Sequence, residues 1–388
     1  MRRAAIIGGG IGGLTTAIAL RKIGFEVNVY ERATELKEVG SGMSLWPNAV
    51  RSLQQIDPEI LSRLTTGRRS LRRMLIKDEH GESIKTLPLP SDDYTGIAIH
   101  RAELQSVLAR SVSARSIHLN HTFSRLEQRR NSALLHFENG TSAEADLVVA
   151  CDGIHSAVRK SLGLQTKLSN RPYSVWRGIT NLPPEVSPQH LGLEHDGDFS
   201  ESYGLGTRFG ILRLGPGRIH WYAAANNSLL PRDLPEHAAL LKLFAGWHAP
   251  IPELIEKADS AFCTRVQDRL STLPWVVGRV ALLGDAAHPI SPNFGQGACL
   301  AIEDAVVLAS CLQAHADLPR ALRRYEHSRY PRCLEVLFMS REAGRFAQFQ
   351  NRALVQMRRY FIKFAPLAFT TFWFRRSCDF RPPTLARC

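Results

Sequence analysis

The sequence predicts an α/β protein: a Rossmann-like dinucleotide-binding domain, an inserted β-rich domain and a tail of C-terminal helices. Three observations predict it. A glycine loop opens the chain between an apolar run and a helical segment, alternating strand-like segments fill the middle, and long helical patterns return toward the end.

The first element is the apolar run Ala4-Ala5-Ile6-Ile7, which ends in Gly8-Gly9-Gly10-Ile11-Gly12-Gly13. Helix formers fill Leu14–Ile23, Gly24 stops them, and Phe25–Tyr30 alternates apolar and polar residues. This reads as strand, tight turn, helix, strand. Gly8, Gly10 and Gly13 make G-x-G-x-x-G: the first allows the turn, the second lets backbone approach a pyrophosphate, and the third lets helix pack on strand. Gly12 belongs to the same loop, and the helix start offers free N–H groups and a positive dipole end to phosphates. Glu31 closes the second strand, 18 residues beyond Gly13, with Arg32 beside it. A carboxylate there accepts hydrogen bonds from ribose hydroxyls and repels a 2′-phosphate. The loop by itself does not separate one dinucleotide from another.

Further along, Arg101–Val112 has helical spacing, Ser132–Glu138 reads as a strand with Asn139-Gly140 as its hairpin turn, and Asp146–Cys151 reads as a buried parallel strand. From Pro172 to Asn227 the pattern becomes antiparallel sheet, with strands at Tyr173–Ile179, Thr207–Leu214 and Ile219–Ala225. Helix returns at Leu234–Trp247, a buried strand at Arg279–Leu283, and helices at Gly297–Leu312 and Leu318–Phe349. Residues 1–171 and 265–345 are therefore expected to form a discontinuous nucleotide-binding domain, lending strands near 70–100 to a β-sheet substrate domain at 172–264. Residues 346–388 are expected to form a C-terminal helical tail.

A second polar segment follows the late strand: Gly284-Asp285-Ala286-Ala287-His288-Pro289, then Ser291-Pro292-Asn293-Phe294-Gly295-Gln296-Gly297-Ala298. A carboxylate at a strand end, followed by a glycine-rich helix start, suits a second ligand contact. Asp285 could bind a ribityl hydroxyl. The N–H groups of Gly295, Gln296, Gly297 and Ala298 could meet a flavin pyrimidine edge and stabilise negative charge there.

With these residues in place the sequence resembles the class A flavoprotein monooxygenases, the para-hydroxybenzoate hydroxylase-like family. Three motifs match in order: Gly8–Gly13 with Glu31; Asp152-Gly153-Ile154-His155-Ser156-Ala157-Val158-Arg159, similar to the family's D-G-x-x-S-x-x-R; and Gly284-Asp285 through Gly297 to Glu303-Asp304. Gly40-Ser41-Gly42-Met43-Ser44 with Pro47-Asn48-Ala49 resembles the family segment beside the flavin.

The resemblance implies FAD as cofactor and NADH or NADPH as transient co-substrate. It implies oxygen transfer from a C4a-hydroperoxyflavin to an aromatic or electron-rich small molecule; the flavin carries the chemistry. It places Gly42, Ser44, Arg101 and Asp152 at the cofactor and gives His288 a structural role. Pro292 and the Gly295–Gly297 loop become the wall on the flavin side. Tyr173-Ser174-Val175-Trp176-Arg177-Gly178 resembles the family strand whose arginine can face flavin and substrate. Arg177 could hold an anionic acceptor or stabilise a phenolate. Arg208, His220 and Tyr222 could face the same cavity or serve ordinary sheet packing, and alternation puts His220 and Tyr222 on one face with Trp221 on the other. The nearest subgroup includes salicylate, 3-hydroxybenzoate and urate hydroxylases and zeaxanthin epoxidases. The urate branch has Asn before the strand's Trp and Tyr where this chain has His220; Val175 here departs from it.

Other readings on the same fold are an epoxidase of an isoprenoid or polyene and a flavin-dependent reductase without oxygen insertion. Halogenases are disfavoured because no W-x-W occurs, and disulfide reductases because no cysteine pair occurs. The seven cysteines show no C-x-x-C, so neither a metal site nor a redox disulfide is expected. The charge of +13 is dispersed, apart from runs such as Arg68–Arg69, and carries no nucleic-acid motif. Without a leader, the chain is expected in the cytoplasm, as monomer or homodimer, with O₂ and a small aromatic or isoprenoid substrate as its partners. The stretch Tyr360–Phe374, flanked by arginines, is expected as a helix packed on the body, with peripheral membrane contact as its alternative.

Overall fold

The computed structural model describes residues 2–36, 41–66, 70–90, 94–164, 166–231 and 233–386. Gly40, Arg68, Arg69 and Cys388 lie outside the described residues.

An apolar first strand takes the centre of a parallel sheet. β1 (Arg3–Ile7) pairs on one side with β2 (Glu26–Tyr30) and on the other with β12 (Leu147–Ala150). The full order is β18 (Val276–Val277), β19 (Val280–Leu282), β12, β1, β2, β8 (Ile117–His118). Every residue of β12 and β19 is buried, as continuous apolar runs in a two-sided sheet must be. Ala4 and Ile6 pack under α1 (Ile11–Lys22) and α8 (Gly297–Ala314). Ala5 and Ile7 face the opposite layer, formed by α9 (Leu318–Ala347) and a small sheet of β9 (Phe123–Gln128), β10 (Ala133–Phe137) and β11 (Ser142–Ala145). The β10–β11 hairpin turns at Asn139-Gly140, where Gly140 takes a φ of 82°. α8 is long and apolar enough to cross a membrane, yet 67% of it is buried in this core.

The second large sheet runs β17 (Ser260–Asp268), β13 (Ser169–Asn181), β16 (Arg218–Asn226), β15 (Thr207–Gly215), β14 (Asp198–Tyr203), β5 (Arg73–Asp78), β6 (Ser83–Pro88). All neighbours are antiparallel except β14 and β5. Period-two alternation divides it. Trp176, Phe209, Ile211 and Trp221 pack beneath α6 (Glu236–Phe244) and α7 (Ile251–Glu256), which sends Arg177, Arg208, His220 and Tyr222 to the other face.

The strands expected near 70–100 divide between two sheets. β5 and β6 join the large one, while β7 (Gly96–His100) pairs with β3 (Gly42–Leu45) and β4 (Ser70–Leu71). α2 (Pro47–Ile56), α3 (Pro58–Thr65) and α4 (Arg101–Ser111) complete that corner, and α5 (Ala157–Ser161) follows β12. The C-terminal stretch expected as one helix is two, α10 (Arg352–Phe364) and α11 (Leu367–Cys378). Pro366 has no N–H to continue α10 and serves instead as the N-cap of α11.

Candidate active site

A cavity of about 1100 Å³ lies between the two large sheets, and almost every motif of the sequence opens onto it. Gly10 and Gly12 reach it from the α1 turn, Gly42 and Ser44 from β3, and Arg101 from the start of α4. Asp285, Pro292, Gly295, Gly297 and Ala298 wall it from the β19–α8 connection, and Arg177, Arg208, His220 and Tyr222 from the large sheet.

The dinucleotide end is built by glycines that no other residue replaces. Gly8 sits at φ 107°, and a Cβ there would fall 2.4 Å from Cys151 O. A Cβ on Gly13 would fall 1.9 Å from Gly8 O. Neither residue lines the cavity; both make the close packing that shapes the turn. Gly10 is different, because nothing lies within 4 Å of its missing Cβ and it caps α1 without a side-chain hydrogen bond. The first N–H groups of α1 are thereby left to a ligand. Glu31 accepts from Gly9 N at 2.6 Å and Ala33 N at 2.9 Å, which fixes its carboxylate at the loop. Arg32 is exposed and outside the cavity. Gln105, not singled out by the sequence, donates from Nε2 to Gly9 O at 2.8 Å.

At the other end α8 repeats the device. Gly297 begins the helix with no side-chain cap and with open space at its Cβ position. Gly295, at φ 62°, passes beside the Trp46 indole, whose Nε1 donates to Phe294 O at 2.9 Å. Asp285 presents its carboxylate to the cavity, and enclosure by protein raises its pKa while His288 and Arg101 oppose the rise. Asp152 turns inward, accepting from Val158 N at 3.1 Å through Oδ2, while Oδ1 is buried with no partner among the described residues. Burial raises this carboxyl too.

Gln296 brings no side chain to the cavity. Its side chain leaves the cavity and is fully buried, where its Oε1 accepts from Asn48 Nδ2 at 2.9 Å and its Nε2 lies 3.4 Å from Ser377 Oγ. The turn at Gly295 points it into the layer between α2 and α11, so only its backbone belongs to the helix start.

His288 sits behind the cavity wall. It forms a 2.6 Å ion pair with Asp304, which also accepts from Arg329 Nε at 2.6 Å and from Gly284 N at 3.1 Å. Burial opposes both charges, but His288 and Arg329 hold the Asp304 carboxyl down to about 2, and Asp304 keeps the His288 imidazole protonated well above its ordinary range. The pair anchors the Gly284-Asp285 turn.

The opposite wall carries a polar cluster centred on Glu201. Its Oε1 accepts from Tyr222 OH at 2.8 Å and from Arg208 Nη1 at 3.1 Å, and its Oε2 from Tyr203 OH at 2.5 Å. Arg208 Nη2 donates to Asn293 Oδ1 at 2.5 Å, which ties the sheet to the loop before α8. Burial opposes the Arg208 charge, yet Glu201 raises its pKa further; burial and Glu201 together keep both phenols protonated. Arg177 donates from Nη1 to Thr264 Oγ1 at 2.8 Å, and its pKa is lowered by burial and by the nearby charges of Arg101 and Arg208. The His220 ring places Nδ1 at 3.0 Å from Gly178 O, so Nδ1 carries the proton and Nε2 stays bare. Burial, with Arg177 and His100, pushes this imidazole down to about 3. Asn293 lies within the Ser291–Ala298 motif but is given no role there, and Glu201 has no motif to reveal it, because β14 (Asp198–Tyr203) is not among the expected strands.

These residues fit FAD. Two uncapped helix N-termini, separated by a cleft lined with glycine, suit a pyrophosphate at α1 and the electron-accepting edge of a flavin at α8. The carboxylates of Glu31 and Asp285 suit the ribose and ribityl hydroxyls between and beyond them.

Residues 2–339 match the family described as FAD binding domain. The aurachin C monooxygenase/isomerase of Stigmatella aurantiaca is 36% identical over 353 residues, 89% of this chain and 90% of that protein. The 3-amino-4-hydroxybenzoate 2-monooxygenase of Streptomyces cremeus is 34% identical, covering 89% and 87%. Among solved structures, Klebsiella pneumoniae HpxO complexed with FAD and uric acid superposes with a TM-score of 0.87 at 28% identity, covering 97% of this chain and 96% of that one.

Proposed function

Because this chain belongs to the FAD binding domain family of class A flavoprotein monooxygenases, we propose that it hydroxylates a small aromatic acceptor held between Arg177, His220 and the Glu201 cluster. The chain is an FAD-dependent monooxygenase, and NAD(P)H and O₂ are its co-substrates. FAD, when bound, supplies the electron transfer and oxygen activation. The protein's share is to bind, orient and keep water out.

The N-termini of α1 and α8 would hold the cofactor's negative charge, with Asp285 on the ribityl chain and Arg101 beside it. Ser44 and Gly42 would lie along its ring, and Pro292 would shield the oxygen-transfer face. On the acceptor side, His220 stays neutral and accepts a hydrogen bond at Nε2 from an acceptor O–H or N–H. Arg177 stabilises the anionic form of that acceptor, which raises the electron density of its ring. Tyr222 and Tyr203, held protonated by burial and by Glu201, donate nothing further to solvent and close the wall.

The observation that supports this reading best is that the two open helix N-termini and the bare Nε2 of His220 face one and the same cavity. Purified protein tests it: it should be yellow and should oxidise NAD(P)H with O₂ uptake that an aromatic acceptor accelerates. A colourless protein, or one that no aromatic panel stimulates, overturns it.

A further inference from the structure

α10 and α11 bury only part of their apolar surface. Arg358 ties α10 to the body, donating from Nη1 to Ala347 O at 2.6 Å and from Nη2 to Gly204 O at 2.8 Å, and Ile362 packs with Ile76, Ile84 and Leu87. The adjacent helical face stays outside. Leu354, Met357, Phe361 and Phe364 follow one another at helical spacing, and each is at least 40% exposed. α11 continues the surface with Leu367, Phe369, Phe372 and Trp373. Nine of the fourteen exposed large apolar side chains among the described residues fall on these two helices, so this is a patch and not ordinary scatter.

Charge indicates what covers it. From Arg352 to Cys378 the chain carries Arg352, Arg358, Arg359, Lys363, Arg375 and Arg376, and no Asp or Glu. Arg359 pairs with Asp78 and Arg376 with Glu335, while Arg352, Lys363 and Arg375 are exposed. A helix with Phe and Leu on one face and Lys and Arg on another lies in the headgroup layer of an anionic bilayer. A second copy of this chain would instead bring a like-charged segment against this one.

The same helices wall the cavity. Phe361, Ile362, Phe369 and Phe374 line it opposite Met74 and Ile76, so this end is apolar while the far end holds Arg177, His220 and Glu201. We infer that α10 and α11 dock the protein on an anionic lipid surface, and that the acceptor is an amphipathic aromatic molecule taken from that bilayer, its apolar tail lying between α10–α11 and β5–β6. The acceptor's chemistry rests on the monooxygenase reading; the docking does not.

The test is flotation of the full-length holoprotein with vesicles of phosphatidylcholine alone or mixed with phosphatidylglycerol. The protein floats with the mixed vesicles, high salt weakens the association, and the triple variant Met357→Glu, Phe364→Glu, Phe372→Glu loses it about tenfold or more. That variant keeps its yellow colour and its basal NAD(P)H oxidation, which separates lost docking from lost flavin. A dimer that the same substitutions split, without vesicle binding, would overturn the docking in favour of a second copy. Binding of 4-octylphenol, read from the flavin absorbance, should be about tenfold or more tighter than that of phenol; equal affinity, or no binding of octylphenol, overturns the apolar tail. Colourless protein that still floats would sink the flavin reading and leave the docking standing.

Discussion

The imidazole of His220 lies directly against the backbone of Gly42. A methyl group at Gly42 would fall 2.4 Å from both Cβ and Cγ of His220, closer than any packed pair of carbons tolerates. Gly42 begins β3, beside the proposed flavin ring, and His220 sits in β16 of the substrate wall. The contact therefore sets the distance between the two halves of the site.

Gly42→Ala should push His220 out of place. Overpacking of this kind costs ~1–3 kcal/mol, and acceptor-stimulated turnover should fall more than thermal stability does. Pairing it with His220→Gly, which removes the clashing Cβ together with the ring, should recover part of the lost stability without restoring stimulation. Unfolding curves and acceptor-dependent NAD(P)H oxidation of the three variants check this.

Glu201→Gln removes the only carboxylate hydrogen-bonded to buried Arg208 among the described residues. Leaving that cation unpaired should cost roughly 3–5 kcal/mol. Denaturant unfolding of the variant measures it, and a loss below about 1 kcal/mol would show that the pair is more solvated than its burial implies.

Asp285→Ala should weaken flavin retention without unfolding the chain, since its carboxylate faces the cavity and its neighbours are anchored by Asp304. Losing a charged hydrogen-bond acceptor is worth ~1.5–3 kcal/mol, about a ten- to hundredfold weaker hold. Flavin absorbance per mole of protein after gel filtration reads it directly.

His220 gives the pH dependence a sign. Its pKa is held at about 3 in the folded protein against an ordinary 6.5, so between those values the unfolded chain binds the extra proton. Its contribution to stability is therefore full above about 6.5 and is lost progressively as pH falls toward 3. His220→Gln should flatten that part of the melting-temperature profile. A profile with the same acid slope would show that the imidazole is not buried as described.

The two glycine-rich helix starts were legible in the sequence because each of their roles depends on a missing side chain at a fixed spacing. Gly8 and Gly13 act through backbone packing and Gly10 through open space, which is what G-x-G-x-x-G encodes. Gln296 shows the limit of that reasoning: a motif position gives the backbone path, and the turn at Gly295 decides which way the side chain goes. Glu201 shows another limit. It became central only because β14 lies beside β15, a pairing between strands that carries no local signal. β7 was expected with the neighbouring strands, yet its five buried residues put it against β3, since a strand buried on both faces has no preferred sheet until its partners are known.

The most direct test of the account is isotopic. Purified yellow protein should be given NAD(P)H, ¹⁸O₂ and whichever alkylphenol stimulates it most, and the product analysed by mass spectrometry. The account predicts one ¹⁸O atom per molecule of product, with the label lost in Gly42→Ala. NAD(P)H oxidation that yields only hydrogen peroxide, with no label in any organic product, would contradict it.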